Sequence, residues 1–355
     1  MDEKTIELKS DIRKNSNING ILLILFWVFY LLASAVSIGV SKILPKDSAN
    51  SDGINTIIFY TFLYPIGISL SVFIANKLKN RHLTSDTAEF EKAQTLQKVK
   101  DSFRKSDMPA SWTAKFIIIS IFMAYAASFI TVIVTMLITL IFGSSPHSAS
   151  FHSEPSVATT IATILATTIY APLFEEIFFR GTLYRNVQKY GTWSMVLIAG
   201  ITFGIWHANF SQIFFASVVG VCSCFIYEKT KSIIPSIILH FCINTIGCSA
   251  TLITNYLGID PSSPETATTS VMENPPAFVA LVLVELVVFT LCLLGLIFLI
   301  VELCSHRESF RLEKRNTELS EPKKLVAYLT APAMLIIMIG MIVLSVLRTI
   351  DLSPF

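Results

Sequence analysis

Charge is scarce in this chain. Asp, Glu, Lys and Arg make up 15% of its 355 residues, against roughly 25% in a soluble domain. Hydrophobic residues reach 53% and the mean hydropathy is +0.63. A soluble globular fold is excluded, and a polytopic membrane protein is predicted. Disulfide chemistry is missing as well. The six cysteines (Cys222, Cys224, Cys242, Cys248, Cys292 and Cys304) all lie in or at the edge of apolar segments, so no loop carries a disulfide framework. On a helix the C-x-C spacing of Cys222 and Cys224 points the two sulfurs about 200° apart, which argues against a metal or redox pair. No H-E-x-x-H and no G-x-S-x-G is present, so zincin and serine-hydrolase arrangements are absent. Nor is there an internal repeat of the kind that builds many transporters. The net charge of +2 comes from basic residues clustered between apolar runs. That pattern gives orientation in a bilayer and no nucleic-acid surface.

What is there is a succession of apolar runs. A polar lead of residues 1–18 precedes a first span from Ile21 to about Leu44, in which Ala33-Ser34-Ala35 looks like a signal-peptidase site but the apolar run continues past it. An uncleaved helix is expected. Further spans are predicted at about Ile54–Ala75, bent by Pro65 and Gly67, then at Phe116–Phe142, Val157–Leu183, Trp193–Ala208, Gln212–Tyr227, Ile233–Leu257, Ala277–Leu303 and Leu325–Leu347. Between the second and third, residues 77–115 carry Phe90, Ala93, Leu96, Val99 and Phe103 at three- and four-residue intervals. Either an amphipathic helix on the membrane surface or a solvated hairpin against the bundle fits that pattern. Loops 143–155 and 258–276 contain no Lys or Arg, and His147 and His152 in the first read as solvated side chains. With an inside N-terminus, all of the 27 basic residues except Lys42, Lys46 and Arg348 fall on the cytoplasmic side.

The expected fold is therefore all-α: a polytopic transmembrane helix bundle of about 8–9 spans with a cytoplasmic N-terminus. Three regions are expected: 1–115, two spans with a basic cytoplasmic loop; 116–257, a membrane core with its motifs in 155–255; and 258–355, two further spans. Short loops and the lack of a targeting peptide point to a bacterial plasma membrane.

Within the fourth run, Ala171-Pro172-Leu173-Phe174-Glu175-Glu176-Ile177-Phe178-Phe179-Arg180-Gly181 places three charges in six residues. Each opposes insertion by roughly 2.5 to 3.5 kcal/mol at a helix centre, so they mark a site with partners. Glu176 and Arg180 are i and i+4 on one face, whereas Glu175 and Arg180 diverge by about 140°. Glu176 is the predicted ion-pair partner, which leaves Glu175 free to act as a general base. An ion pair that merely pins two helices is the plainer reading of this stretch.

Phe203-Gly204-Ile205-Trp206-His207 and His240-Phe241-Cys242-Ile243-Asn244 add two histidines and an amide on later helices. At about 1.5 Å per residue, Glu175, His207 and Asn244 fall roughly 17 to 21 Å from the cytoplasmic ends of their helices, and His240 roughly 10 Å. They can share one buried layer. Alone, either histidine reads as a helix-to-helix hydrogen bond. Together they suit activation of water and stabilisation of an oxyanion.

In this order and spacing Glu175-Glu176-x-x-x-Arg180, Phe203-x-x-x-His207 and His240-x-x-x-Asn244 resemble the three motifs of the CPBP intramembrane proteases, the Abi or CAAX prenyl protease type II family. The likeness covers roughly residues 155–255. It implies an α-helical membrane endopeptidase with Glu175, His207, His240 and Asn244 catalytic and with Glu176 and Arg180 as structural partners. Glu175 would activate a water held by His207, while His240 and Asn244 serve the oxyanion or a metal. Zinc on Glu175, His207 and His240 is one form of that chemistry, and a metal-free glutamate mechanism is the other. The implied substrate is a membrane-associated peptide or protein. From a different class, a bacteriocin-immunity or scaffolding protein, or a secondary transporter, would use the same polar layer without cleaving anything.

Overall fold

A computed structural model describes residues 3–45, 50–79, 101–142, 156–257 and 273–349. The pattern expected over Phe90 to Val99 and the loop histidines His147 and His152 lie outside the described residues. Among those described, every regular element is a helix.

The first helix, α1 (Glu3–Ser41), runs straight through the polar lead into the apolar run. It starts earlier than the hydrophobic boundary at Ile21 because its polar face is satisfied by protein instead of water. Asn15 donates to the Tyr190 hydroxyl at 2.6 Å, Ser16 to the Tyr328 carbonyl at 2.6 Å and Asn19 to the Leu183 carbonyl at 2.9 Å. The second span, α2, is built from Ser51–Thr61, a wider π-helical stretch Phe62–Ile68 around Pro65, and Ser69–Lys79. Then come α3 (Ala110–Phe142) and α4 (Val157–Tyr190), followed by α5 (Trp193–Trp206), α6 (Phe210–Thr230), α7 (Ile234–Tyr256) and α8 (Pro275–Ser305). The chain closes with α9 (Glu321–Leu329) and α10 (Pro332–Thr349).

Seven of these helices are long and apolar enough to cross a membrane, or eight if α9 and α10 count as one span bent by 79°. Two departures separate this from nine straight spans. Helix α5 has only 14 residues, about 21 Å at 1.5 Å per residue, where a bilayer core needs about 30 Å. The expected ninth span breaks before Pro332, whose ring disfavours helical geometry at Ala331 and which has no N–H to donate. The protein is an integral membrane protein, and its outer faces read accordingly. Phe129, Leu140, Leu283 and Phe289 stand exposed on α3 and α8 as side chains facing hydrocarbon do.

The core sits where α4, α5, α6 and α7 meet. Helices α5 and α6 approach so closely that a Cβ on Gly200 would lie 2.3 Å from the Val221 nitrogen, and one on Gly204 would lie 2.1 Å from Ser217 Oγ. Lipid tails are as apolar as leucine, so such backbone contact supplies association where the hydrophobic effect does not. The same contact brings the α6 backbone at Gly220 within reach of α4.

Candidate active site

Helix α4 is not a plain α-helix where it carries the carboxylates. Its turns widen to π geometry over Leu165–Glu175, return to α over Glu176–Phe178 and widen again over Phe179–Tyr184. Pro172 explains the first widening, since it cannot donate to the preceding turn and its ring needs room there. In a π register the Thr167 carbonyl would be served by the N–H of residue 172, which proline lacks. Asn244 of α7 fills the vacancy, its Nδ2 donating to the Thr167 oxygen at 2.8 Å. One of the amide's two N–H bonds is thereby committed to holding α7 on α4.

The two glutamates divide as their spacing predicts. Glu176 is fully buried, and its Oε1 accepts from Arg180 Nη1 at 2.8 Å. Arg180 is likewise 0% exposed; its Nη2 donates to the Gly220 carbonyl at 3.1 Å, and its guanidinium carbon lies 4.6 Å from the centre of the Phe203 ring. The ion pair therefore ties α4 to both α5 and α6. Glu176 Oε1 also accepts from His240 Nδ1 at 3.0 Å. Glu175 has no contact with Arg180. Its Oε1 accepts from the Tyr64 hydroxyl of α2 at 2.6 Å, and its Oε2 is buried with no hydrogen-bond partner, 3.9 Å from His240 Nε2.

Both histidines have their Nδ1 spoken for. His207 sits immediately after α5, where Ala208 adopts a left-handed backbone (φ 47°) and Asn209 caps α6 by accepting from the Ser211 N–H. Non-glycine residues pay for that conformation, and such turns recur at functional sites. His207 Nδ1 donates to the Phe203 carbonyl at 2.8 Å. Since a carbonyl only accepts, Nδ1 carries the hydrogen and Nε2 of the neutral ring is the free acceptor. At His240 the carboxylate of Glu176 fixes Nδ1–H in the same way and leaves Nε2 on the Glu175 side. Phe203 packs edge-on against both rings, 4.9 Å from His207 and 5.7 Å from His240 between centroids.

Glu175, His207, His240 and Asn244 all line one cavity of about 230 Å³, together with Tyr60, Tyr64 and Phe203. The structure thus brings all four predicted catalytic positions to one space, with Glu176 and Arg180 behind it. Tyr64, which sequence reasoning passed over, joins them; its one signal was an aromatic side chain immediately before the Pro65-x-Gly67 bend. Phe203, already quoted with His207 as a motif, lines the cavity as well. As for a metal, among the described residues no three His, Cys, Asp or Glu side chains are gathered closely enough to hold one. The zinc set of Glu175, His207 and His240 is not assembled in this arrangement, and one oxygen of Glu175 is taken by Tyr64.

Comparison with known proteins converges on the same segment. A family profile described as type II CAAX prenyl endopeptidase Rce1-like matches residues 157–246. A Bacillus subtilis (strain 168) protein described as "Putative membrane peptidase YdiL" is 34% identical over 86 residues. That alignment takes in 23% of this chain and 34% of the relative, so the chain spans about a third of the length of the curated relative it matches. No solved structure matches. Residues 157–246, which carry the Glu-Glu-Arg, His and His-Asn motifs on α4, at the end of α5 and on α7, are thus similar to the type II CAAX prenyl endopeptidases of the CPBP family.

Proposed function

We propose that this protein is an intramembrane endopeptidase that hydrolyses peptide bonds of membrane-associated peptides or proteins, with Glu175 as general base. The observation that carries the reading is the Oε2 of Glu175: a buried carboxylate oxygen with no hydrogen-bond partner, facing a cavity that two histidines also line. Leaving such an oxygen unpaired costs about 1 to 3 kcal/mol or more, a cost that a bound water or substrate relieves.

The roles follow from which atoms are free. A water in the cavity gives one hydrogen bond to Glu175 Oε2 and the other to His207 Nε2, the only acceptor that ring has left. Attack of its oxygen on the peptide carbonyl carbon moves a proton to Glu175. The carbonyl oxygen becomes an oxyanion and needs donors. Asn244 has a second N–H for it. His240, which lines the same cavity, is the second group placed at the oxyanion. Glu175 then passes its proton to the leaving nitrogen as the oxyanion collapses and the C–N bond breaks, giving an amine and a carboxylic acid, which loses its proton on release, with no covalent enzyme intermediate. Every step uses protein groups, so exhaustive chelation of the purified protein should leave turnover intact. Loss of activity on chelation and recovery with zinc would overturn the metal-free mechanism.

Cells expressing wild type or Glu175→Gln at matched levels should differ in their membrane-derived peptides. Termini found only with the wild type support the reading and name substrates. Identical peptide populations across growth conditions would contradict it.

A further inference from the structure

Nothing in the family motifs reaches α2, yet α2 supplies the closest contact to the base. Tyr64 is 6% exposed, and its hydroxyl donates to Glu175 Oε1 at 2.6 Å, within the range of a charge-assisted O–H···O⁻ bond. Two rings stack with it: Tyr60 at 5.8 Å with planes 11° apart, and Phe174 of α4 at 6.3 Å with planes 22° apart. The backbone is set by the π-helical stretch Phe62–Ile68, where Pro65 follows Tyr64 directly. A bend that sequence alone gave no purpose thus aims one phenol at one carboxylate oxygen.

We propose that Tyr64 is a positioning residue for Glu175. With Oε1 held, Oε2 is the oxygen turned toward the water and His240. The other titratable groups lining the cavity with Glu175 are Tyr60 on α2, His207 after α5 and His240 on α7, with the Glu176–Arg180 pair behind it; the α6 residues lining the cavity are Gln212, Phe215, Ala216 and Val219. Among the described residues, none of these donates a hydrogen bond to Oε1, so the Tyr64 hydroxyl alone holds that oxygen.

This inference rests on Glu175 being the base, and the test separates the two. Tyr64→Phe deletes one oxygen. Tyr170→Phe, on α4, is the matched control, because its hydroxyl lies 3.4 Å from Thr61 Oγ1 at the same α2–α4 contact and does not line the cavity. In Tyr64→Phe, kcat for a peptide identified by the Glu175→Gln comparison should fall roughly 10- to 100-fold with KM little changed, the effect of one hydrogen bond to a charged group. Tyr170→Phe should keep the wild-type kcat and KM. An infrared difference spectrum of the carboxylate stretch at fixed pH, with Glu175→Gln used to identify the Glu175 band, should show that band displaced in Tyr64→Phe and unmoved in Tyr170→Phe. If Tyr64→Phe does not fold, a monofluorinated tyrosine at position 64 preserves the shape, donates more strongly and should displace the band in the opposite direction. An unmoved band and an unchanged kcat in a folded Tyr64→Phe variant overturn the role of Tyr64 while leaving Glu175 as base. A Glu175→Gln protein that still turns over, with the infrared shift present, overturns the base assignment and leaves the coupling between Tyr64 and Glu175.

Discussion

Glu175 and Glu176 are chemically identical neighbours, and position alone gives them different work. Glu176 accepts from Arg180 and from His240, so it is spent on structure and on orienting the His240 ring; Glu175 keeps one oxygen free. The i, i+4 rule made the first half of this legible in the sequence, because it depends only on spacing along one helix. The Tyr64 bond was not legible, because it joins residues 111 positions apart through the packing of α2 on α4. Arg180→Ala strands the Glu176 carboxylate in a site with no solvent. Breaking a buried pair in this way costs about 3 to 5 kcal/mol, so the variant should give a low yield of folded protein and a clearly lower thermal midpoint in detergent. An unchanged midpoint would show that the pair does not hold α4 to its neighbours.

Helix α4 would be a straight span if hydrophobicity alone governed it, and its apolar boundaries were readable for that reason. Its π-helical turns were not, since they arise from how Pro172 is accommodated and from the partner that Asn244 gives to the Thr167 carbonyl. Asn244→Leu should therefore cost about 1 to 3 kcal/mol of stability in addition to its effect on turnover, the penalty for a carbonyl buried without a donor. Equal stability of the two proteins would remove Asn244 from the α4–α7 contact. Helix α5 owes its place to glycine rather than to length. Gly200→Val would put side-chain atoms where the Val221 backbone already lies, so α5 and α6 must separate and carry His207 away from Glu175. Loss of turnover with a lowered thermal midpoint is expected, and a wild-type midpoint would contradict the close approach. His207, read from sequence as deep within a fifth span, stands instead at the end of a 14-residue helix, in a turn that a hydrophobicity profile does not register.

The bundle as a whole follows from composition: apolar runs became helices, and Glu175, His207, His240 and Asn244 came to line one cavity. The count differs from nine because α5 is short and because Pro332 breaks the last run, both local features that shorten or bend a helix without changing its hydropathy. An N-terminal reporter fusion should report a cytoplasmic terminus, as the distribution of Lys and Arg predicts; a reporter active on the far side would invert the topology. The central claim is that Glu175 activates water against a peptide bond. It is tested most directly with purified wild type and Glu175→Gln in lipid vesicles, given a cleavable membrane-associated peptide in oxygen-18 water. The wild type should release fragments whose new carboxylate carries the heavy isotope, and Glu175→Gln, folded and inserted as well as the wild type, should release none. Labelled fragments at equal rates from both proteins would contradict the account.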